Sequence, residues 1–357
     1  MSAVPPGSTI GILGGGQLGR MLAVAAAQLG YRCHIFAPES HSVAAEVSAD
    51  WTRAQYSDRD ALHRFAASVD VVTYEFENID VLPIEELAGH VRVHPNVTAL
   101  AIAQDRLREK DYIRDHGGRP APYREVSNRA QLDAAITEIG LPAILKTCRF
   151  GYDGKGQVRI YTPDEAAEAW AAVKGAPCVL EGFIQFEREF SVLAVRGQDG
   201  AMAYWDTPQN RHDDGILARS FVPAHPVIIA QQDEARAIAG RVMADLDYVG
   251  VAAFEFFATE NGPVFNEMAP RVHNSGHWTI EGALTSQFEN HIRAICGLPL
   301  GNTSLAADRV IMDNLIGDQA LAWHEFLADP ANHLHLYGKG EARPGRKMGH
   351  LTRLEFD

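Results

Sequence analysis

A chain of 357 residues, 46% hydrophobic and 22% charged, is long enough for two or three domains with buried cores and has the composition of an ordinary globular protein. Its formal charge of −14 argues against nucleic acid as a partner, and any phosphate ligand has to be met by local Lys, Arg or backbone N–H groups. No run approaches the roughly 18 apolar residues of a membrane helix, Met1 to Gly7 has no signal-peptide pattern, and the 4 cysteines are scattered without a CxxC pair, as expected of small buried hydrophobes in a reducing cytosol.

In chain order, Thr9 to Leu13 predicts a short buried strand, followed at once by Gly14-Gly15-Gly16-Gln17-Leu18-Gly19-Arg20 and a helical run from Met21 to Leu29. This is the strand, glycine loop and helix of a doubly wound parallel sheet, and the helix N-terminus suits a phosphate or other anion. The loop also satisfies G-x-G-x-x-G, a weak signal by itself. A dinucleotide site wants an acidic residue ending the second strand, where Tyr31 to Glu39 offers only Glu39, after a proline. Val69 to Tyr74 is a further strand with Glu75-Phe76-Glu77-Asn78 at its carboxyl end, so Glu75 is either a ligand contact or a surface acid. Asp105 to His116 predicts a charged amphipathic helix, ended by Gly117-Gly118 and then Pro120 and Pro122, with a domain boundary nearby. Arg106 reads locally as a solvated helix charge.

Leu141 to Lys146 is an apolar strand that delivers a lysine at its end, and Arg149 to Gln157 follows. Gly151, Gly154 and Gly156, set among Tyr152, Asp153 and Lys155, make either an ordinary turn or a hairpin loop whose amides wrap a polyphosphate, with Lys146 and Lys155 as point charges. It is not a Walker loop, because no helix opens with GK[ST]. After a helix from Asp164 to Val173, Cys178 to Ile184 reads as a strand running into a linker. Free backbone at Glu181, Gly182, Phe183 and Ile184 could bind a flat heterocycle edge-on, and Glu189, on the alternating strand Phe186 to Val192, could take ribose hydroxyls. Both stretches read equally well as edge-strand features. Asn210 to Gly215, which contains His212, is a polar loop that says little alone.

A helix from Gln231 to Leu246 leads into Val251 to Phe257, β-rich and apolar except for Glu255. Glu260-Asn261-Gly262 has the length of a hairpin turn, and a turn centred on Asn261 sets Glu255 opposite Glu267 on one sheet face. Like charges in that position are destabilising unless something binds them. Either one Glu faces solvent, or the oxygen-only pair holds Mg²⁺ on nucleotide phosphates. The run Arg271, His273, Asn274, Ser275, His277 has neither helix nor strand period and reads as a loop, in which Arg271 and His273 could hold a second, anionic reactant. Ser286 to Cys296 predicts a helix, and Arg309 to Leu315 and His333 to Tyr337 predict short strands. The His333-x-His335 pair is read as strand alternation, since no third ligand is nearby in sequence. Arg343 to His350 is a basic turn that belongs near something negative.

Together GGGQLGR, the FGYDGKGQ that follows Lys146, EGFI, the paired FEFF and FNEMAPRVHNSGHW, and the closing RPGRKMGHL resemble the N5-carboxyaminoimidazole ribonucleotide synthetase family of the ATP-grasp superfamily, over nearly the whole chain. NEMAPRVHNSGHW and GYDGKGQ are the specific parts. The resemblance implies an α/β protein, α+β in its C-terminal part, of ATP-grasp architecture: a doubly wound N-terminal domain over 1–104, a central lid domain over 105–184 and a C-terminal domain over 185–357 carrying the metal and bicarbonate site. It implies a cytoplasmic, homodimeric ligase of de novo purine synthesis. With ATP and Mg²⁺ such an enzyme activates bicarbonate as carboxyphosphate, then carboxylates the exocyclic amine of 5-aminoimidazole ribonucleotide, releasing ADP and phosphate.

Carried over by motif, the ATP contacts are Arg106, Lys146, Gly151, Tyr152, Asp153, Gly154, Lys155, Gly156, Gln157, Glu181, Gly182, Phe183, Ile184, Glu189, His212, Asn266 and Glu267, and the Mg²⁺ ligands are Glu255 and Glu267. The aminoimidazole ribonucleotide is expected against Gly14, Gly15, Gly16, Gln17, Leu18, Glu75, Tyr152, Asp153, Asn274, Ser275, Arg346 and Lys347. Arg271 and His273 are expected to orient bicarbonate, with Asp153 as proton acceptor. Two departures stand out: Lys155 replaces an arginine frequent in the lid, which keeps the charge but loses the bidentate fork, and relatives often continue beyond Leu354 into a further helix. A formate-dependent or glycinamide ribonucleotide ligase shares the lid and carboxylates but not RVHNSGHW, and a nicotinamide oxidoreductase accounts only for GxGxxG.

Overall fold

The computed structural model describes residues 2–149, 151 and 156–356. Its first sheet is parallel, built from β1 (Thr9–Leu13), β2 (Arg32–Phe36), β3 (Asp50–Thr52) and β4 (Val71–Tyr74) in the order β3-β2-β1-β4. β1 and β4 are apolar apart from Thr9 and Thr73 because helices cover both faces of such a sheet. The helix after β1, α1, runs over Gln17–Gln28 and starts four residues earlier than the apolar run suggested, so that Gly19 lies inside it. Glu75 explains the early start: its carboxylate accepts from the amides of Gly16 at 2.5 Å and Gly19 at 2.9 Å, caps the helix and fixes the glycine loop.

Four antiparallel strands form a second sheet in the order β5-β8-β6-β7: β5 (Tyr123–Val126), β6 (Ala143–Thr147), β7 (Gln157–Ile160) and β8 (Cys178–Gly182). β8 lies between β5 and β6, which corrects the expectation of a free linker. Glu181 and Gly182 are strand residues, and the amides of Gly182 and Phe183 donate to the carbonyls of Pro122 at 2.8 Å and Pro142 at 3.2 Å.

The largest sheet, nine-stranded and antiparallel, follows the order β14-β13-β9-β11-β12-β15-β17-β16, with β10 also on β9. Its strands are β9 (Arg188–Arg196), β10 (Met202–Tyr204), β11 (Gln209–Asp213), β12 (Ile216–Val222), β13 (Gly250–Thr259), β14 (Gly262–Ala269), β15 (Arg309–Ile316), β16 (Asn332–Leu336) and β17 (Lys347–Glu355). Glu189 therefore sits in an interior strand rather than at an edge. Phe190, Phe254, Phe256 and Phe265 are buried beneath this part of the sheet, with Phe190 stacked on Phe256 at 5.5 Å between centroids. Their packing anchors the strands that carry the acidic residues.

The helix Arg106–Asp115 packs against β14 and reaches Glu181 of β8 through Lys110. Asp105 caps it, accepting from Leu107 and Arg108 amides at 3.0 and 3.3 Å. Arg106 and Lys110 share a face at i and i+4, and that face turns inward. Lys110 is fully buried and the Arg106 side chain is only 16% exposed, so Arg106 is not a solvated charge.

Candidate active site

The β13–β14 hairpin pairs Glu255 with Glu267, as its turn geometry suggested, but the register is reached differently. The turn falls between Thr259 and Gly262, a spacing that would set Glu255 against Asn266. Between Phe256↔Phe265 and Glu255↔Glu267 the ladder shifts by one residue, and Asn266 is bulged. A bulge lets two successive side chains address one face, and Asn266 and Glu267 both line the same cleft as Glu255. Burial, and then the charge of Glu267, push the Glu255 carboxyl up to about 7. Two acids facing each other across the ladder, Glu255 buried and Glu267 open to the cleft, with oxygen donors only, fit a hard divalent cation such as Mg²⁺.

This cleft, ≈ 310 Å³, is lined by Lys146, Gln157, Glu181, Gly182, Phe183, Ile184, Glu189 and His212, and by Arg106. Lys146 donates to Glu181 at 2.9 Å, and Lys110 reaches the other oxygen of Glu181 at 3.0 Å. Burial acts to raise the Glu181 carboxyl, but the ammonium groups of Lys110 and Lys146 outweigh it and hold it at about 2. Burial likewise acts to lower the His212 imidazole. Its bond to Glu189 and the nearby charges of Glu255 and Glu267 outweigh this and hold it above its ordinary range. Arg106 approaches Glu267 at 3.5 Å.

A second cleft, ≈ 760 Å³, opens on the other side of Glu267, lined by Gln17, Leu18, Gly151, Arg271, Asn274, Arg346 and the basic residues Lys339 and Arg343. Arg106, Glu267, His273 and Lys347 line both clefts, so the two are joined. Glu77, at the end of β4, holds Arg271 through its Nε at 2.5 Å. Burial drives the His273 imidazole well below its usual range, helped by the charges of Arg271 and Lys347, so His273 is neutral. It faces Glu255 at 3.8 Å, and its Nδ1 lies 2.9 Å from the hydroxyl of Ser275.

Several expected substrate contacts are placed elsewhere. Gly14, Gly15, Gly16 and Glu75 do not line the second cleft, because the Glu75 carboxylate already occupies the loop's anion position. The fit is close: a Cβ on Gly14 would lie 2.3 Å from Glu75 Cγ. Ser275 is fully buried behind His273 and supports it from there. The Asn274 amide reaches the cleft but exchanges two hydrogen bonds with Asn314, at 2.9 and 2.8 Å. Tyr152, Asp153, Gly154 and Lys155 lie outside the described residues. Gly156 accepts the Thr147 amide at 2.8 Å.

Lys110, Glu77 and Asn314 were missed from sequence. Lys110 carried a readable signal, its i+4 spacing from Arg106. Glu77 was passed over for its neighbour Glu75, and nothing local marks Asn314.

Three family models match in succession: the ribonucleotide synthetase preATP-grasp domain over residues 8–104, the ATP-grasp domain over 111–288 and the phosphoribosylaminoimidazole carboxylase C-terminal domain over 310–357. The chain is 49% identical to an N5-carboxyaminoimidazole ribonucleotide synthase of Brucella melitensis, covering 99% of this chain and 98% of the relative. It is 45% identical to one of Pseudomonas aeruginosa, covering 96% and 93%. Among solved structures, the Thermus thermophilus synthetase superposes with a TM-score of 0.90 at 47% identity, covering 97% of this chain and 93% of the other. An Aspergillus clavatus synthase in complex with ADP and 5-aminoimidazole ribonucleotide superposes with a TM-score of 0.91 at 34% identity, covering 98% and 94%.

Proposed function

Because the chain belongs to the N5-carboxyaminoimidazole ribonucleotide synthase family of ATP-grasp enzymes, we propose that its two joined clefts carry out the ATP-dependent carboxylation of 5-aminoimidazole ribonucleotide with bicarbonate. The continuity of the clefts through Arg106, Glu267, His273 and Lys347 is the observation that supports this reading most directly. Nucleotide and acceptor can each take one cleft and meet at that wall.

In the smaller cleft, Arg106, Lys146, Gln157 and Asn266 would face the phosphates and the segment Glu181 to Ile184, from the end of β8 onward, the base, with Glu189 and His212 at the ribose. Glu255 and Glu267 would hold Mg²⁺, which supplies neutralisation of the charge that develops on the transferred phosphoryl group. In the larger cleft, Gln17, Leu18, Asn274, Arg346 and Lys347 would receive the aminoimidazole ribonucleotide. Arg271, oriented by Glu77, would hold bicarbonate between the clefts. Neutral His273 adds a hydrogen-bonding group there without a second positive charge.

The chemistry follows from the weakness of bicarbonate as an electrophile. A bicarbonate oxygen attacks the γ-phosphorus, the bond to ADP breaks, and carboxyphosphate forms. Its breakdown to CO₂ and phosphate inside a site shielded from water lets the exocyclic amine attack carbon. The amine proton goes to a base, for which Asp153 remains the residue we assign, on the family likeness alone. On the same likeness we divide the chain into segments 1–104, 105–184 and 185–357 and infer a cytoplasmic homodimer. Among the described residues, no helix is long and apolar enough to cross a membrane.

Phosphate release tests the proposal. It should require ATP, bicarbonate and Mg²⁺ together and rise further with aminoimidazole ribonucleotide. Turnover with formate or glycine in place of bicarbonate, or none with any of them, would overturn it.

A further inference from the structure

His333 is exposed on β16, but His335, two residues on, is not left alone as the sequence suggested. Glu281 comes to it from the helical turn Thr279–Gly282, and His350 from β17, where it is the ladder partner of His335. One ligand atom from each of the three lies within 4.8 Å of the others. His335 and His350 stack at 4.4 Å with 6° between their planes, and His335 Nε2 lies 2.6 Å from Glu281 Oε1.

Three atoms at this place are buried without a partner: Nε2 of His350, whose ring is fully buried, Oε2 of Glu281, and Nε2 of His277, whose ring lies 5.1 Å from that of His350. Leaving such atoms unmatched carries the full desolvation penalty of each group, so the cluster is built to receive something polar. The Tyr337 hydroxyl lies 2.9 Å from His350 Nδ1 and can accept its proton, which puts a lone pair on Nε2. His277 is adjacent, but its Nδ1 accepts from Gln287 at 3.2 Å, so it presents an N–H and is not counted as a ligand.

We propose that Glu281, His335 and His350 form a second cation site, for a divalent transition metal of the zinc type, separate from the oxygen-only pair Glu255 and Glu267. Two imidazoles and a carboxylate suit such an ion, whereas Mg²⁺ prefers oxygen donors. Metal bonds of about 2.0–2.2 Å set ligand atoms farther apart than the hydrogen-bonded His335 and Glu281 stand here, so that bond opens as the stacked rings tilt to bring His350 onto the ion. The ion would tie the turn following the loop of His273 to β16 and β17, and β17 starts with Lys347 on both clefts. It acts as a brace behind the active loop.

The test uses the full chain, stripped of metal and held in excess Mg²⁺ so that the oxygen-only pair is filled. Zn²⁺ is titrated against a chromophoric chelator, and Co²⁺ reports nitrogen ligation through its visible bands. One Zn²⁺ per chain is expected, with a Kd of about 1 μM or tighter. Glu281→Gln and His335→Gln should each weaken it by more than the about 10–100-fold that outer-shell changes cost, while Glu267→Gln should leave it unchanged. His335 is partly exposed, so its replacement should fold; if it does not, Glu281→Gln and the Co²⁺ spectrum decide. Equal affinity in the variants, or no binding tighter than about 1 mM, would overturn the site and leave a water molecule as the occupant.

Discussion

Glu255 stands directly across the ladder from Glu267 because Asn266 is bulged out between Phe265 and Glu267. A regular hairpin closed at Thr259 and Gly262 would have set Glu255 against Asn266, with Glu267 turned to the opposite face. The single extra residue therefore creates the acidic pair and adds a neutral oxygen donor beside it. The strain of two adjacent carboxylates is visible in Glu255, which is held at about 7 by burial and by Glu267.

Glu267→Gln keeps the shape of the hairpin and removes one of the two charges. ATP turnover is expected to fall by about 100-fold or more. The rise in unfolding temperature that Mg²⁺ and ATP give the unmodified chain should vanish with it. A calorimetric scan with and without both ligands checks this, and a protein still protected by them would place the nucleotide elsewhere.

Lys110 never meets the cleft, yet it sets the charge of a residue that does. It and Lys146 share the two oxygens of Glu181. Lys110→Met strands part of that buried charge and is expected to cost about 3–5 kcal/mol of stability. Lys110→Arg should recover much of it. Urea unfolding of the three proteins measures the difference, and equal midpoints would show that the pairing contributes nothing.

The legible part of this chain was its local order. The hairpin, the lysine at the end of β6 and the strands on either side could be read from periodicity and turn residues, because those signals act over a few positions. What stayed hidden depends on distance. Glu75 is 59 residues from Gly16, and no local pattern shows that its carboxylate fills the glycine loop. Asn314 and Asn274, 40 residues apart, become partners only when β15 packs beside the active loop. Glu181 looked like linker because β5, its second neighbour, comes from more than 50 positions earlier in the chain.

The glycine loop gives a third prediction. Two amides converge on the Glu75 carboxylate, and a glutamine there would turn an N–H₂ group toward one of them. Glu75→Gln is expected to lose about 1–3 kcal/mol of stability. NAD should stabilise neither the variant nor the parent protein, since the phosphate position is filled from within. Thermal shift with NAD and with ATP separates the two nucleotides, and protection by NAD would return the loop to its usual dinucleotide role.

Glu109 should make stability depend on pH. It is buried beside the larger cleft, where it accepts the Met268 amide at 2.6 Å. Burial, only partly offset by Lys110 and Arg106, pushes its carboxyl up to about 8. A carboxyl raised in the folded chain binds its proton more tightly there than in the unfolded chain. Its contribution is therefore complete below an unfolded value of about 4.3 and is lost as pH rises through about 8. Over that window the group should remove up to about 1.4 kcal/mol per pH unit. Glu109→Gln keeps the acceptor for Met268 and has no proton to lose. The difference in unfolding free energy between parent and variant should fall steadily with pH and flatten above about 8. Parallel curves would mean that Glu109 is ionised at neutral pH, and that Arg106 and Lys110 outweigh its burial.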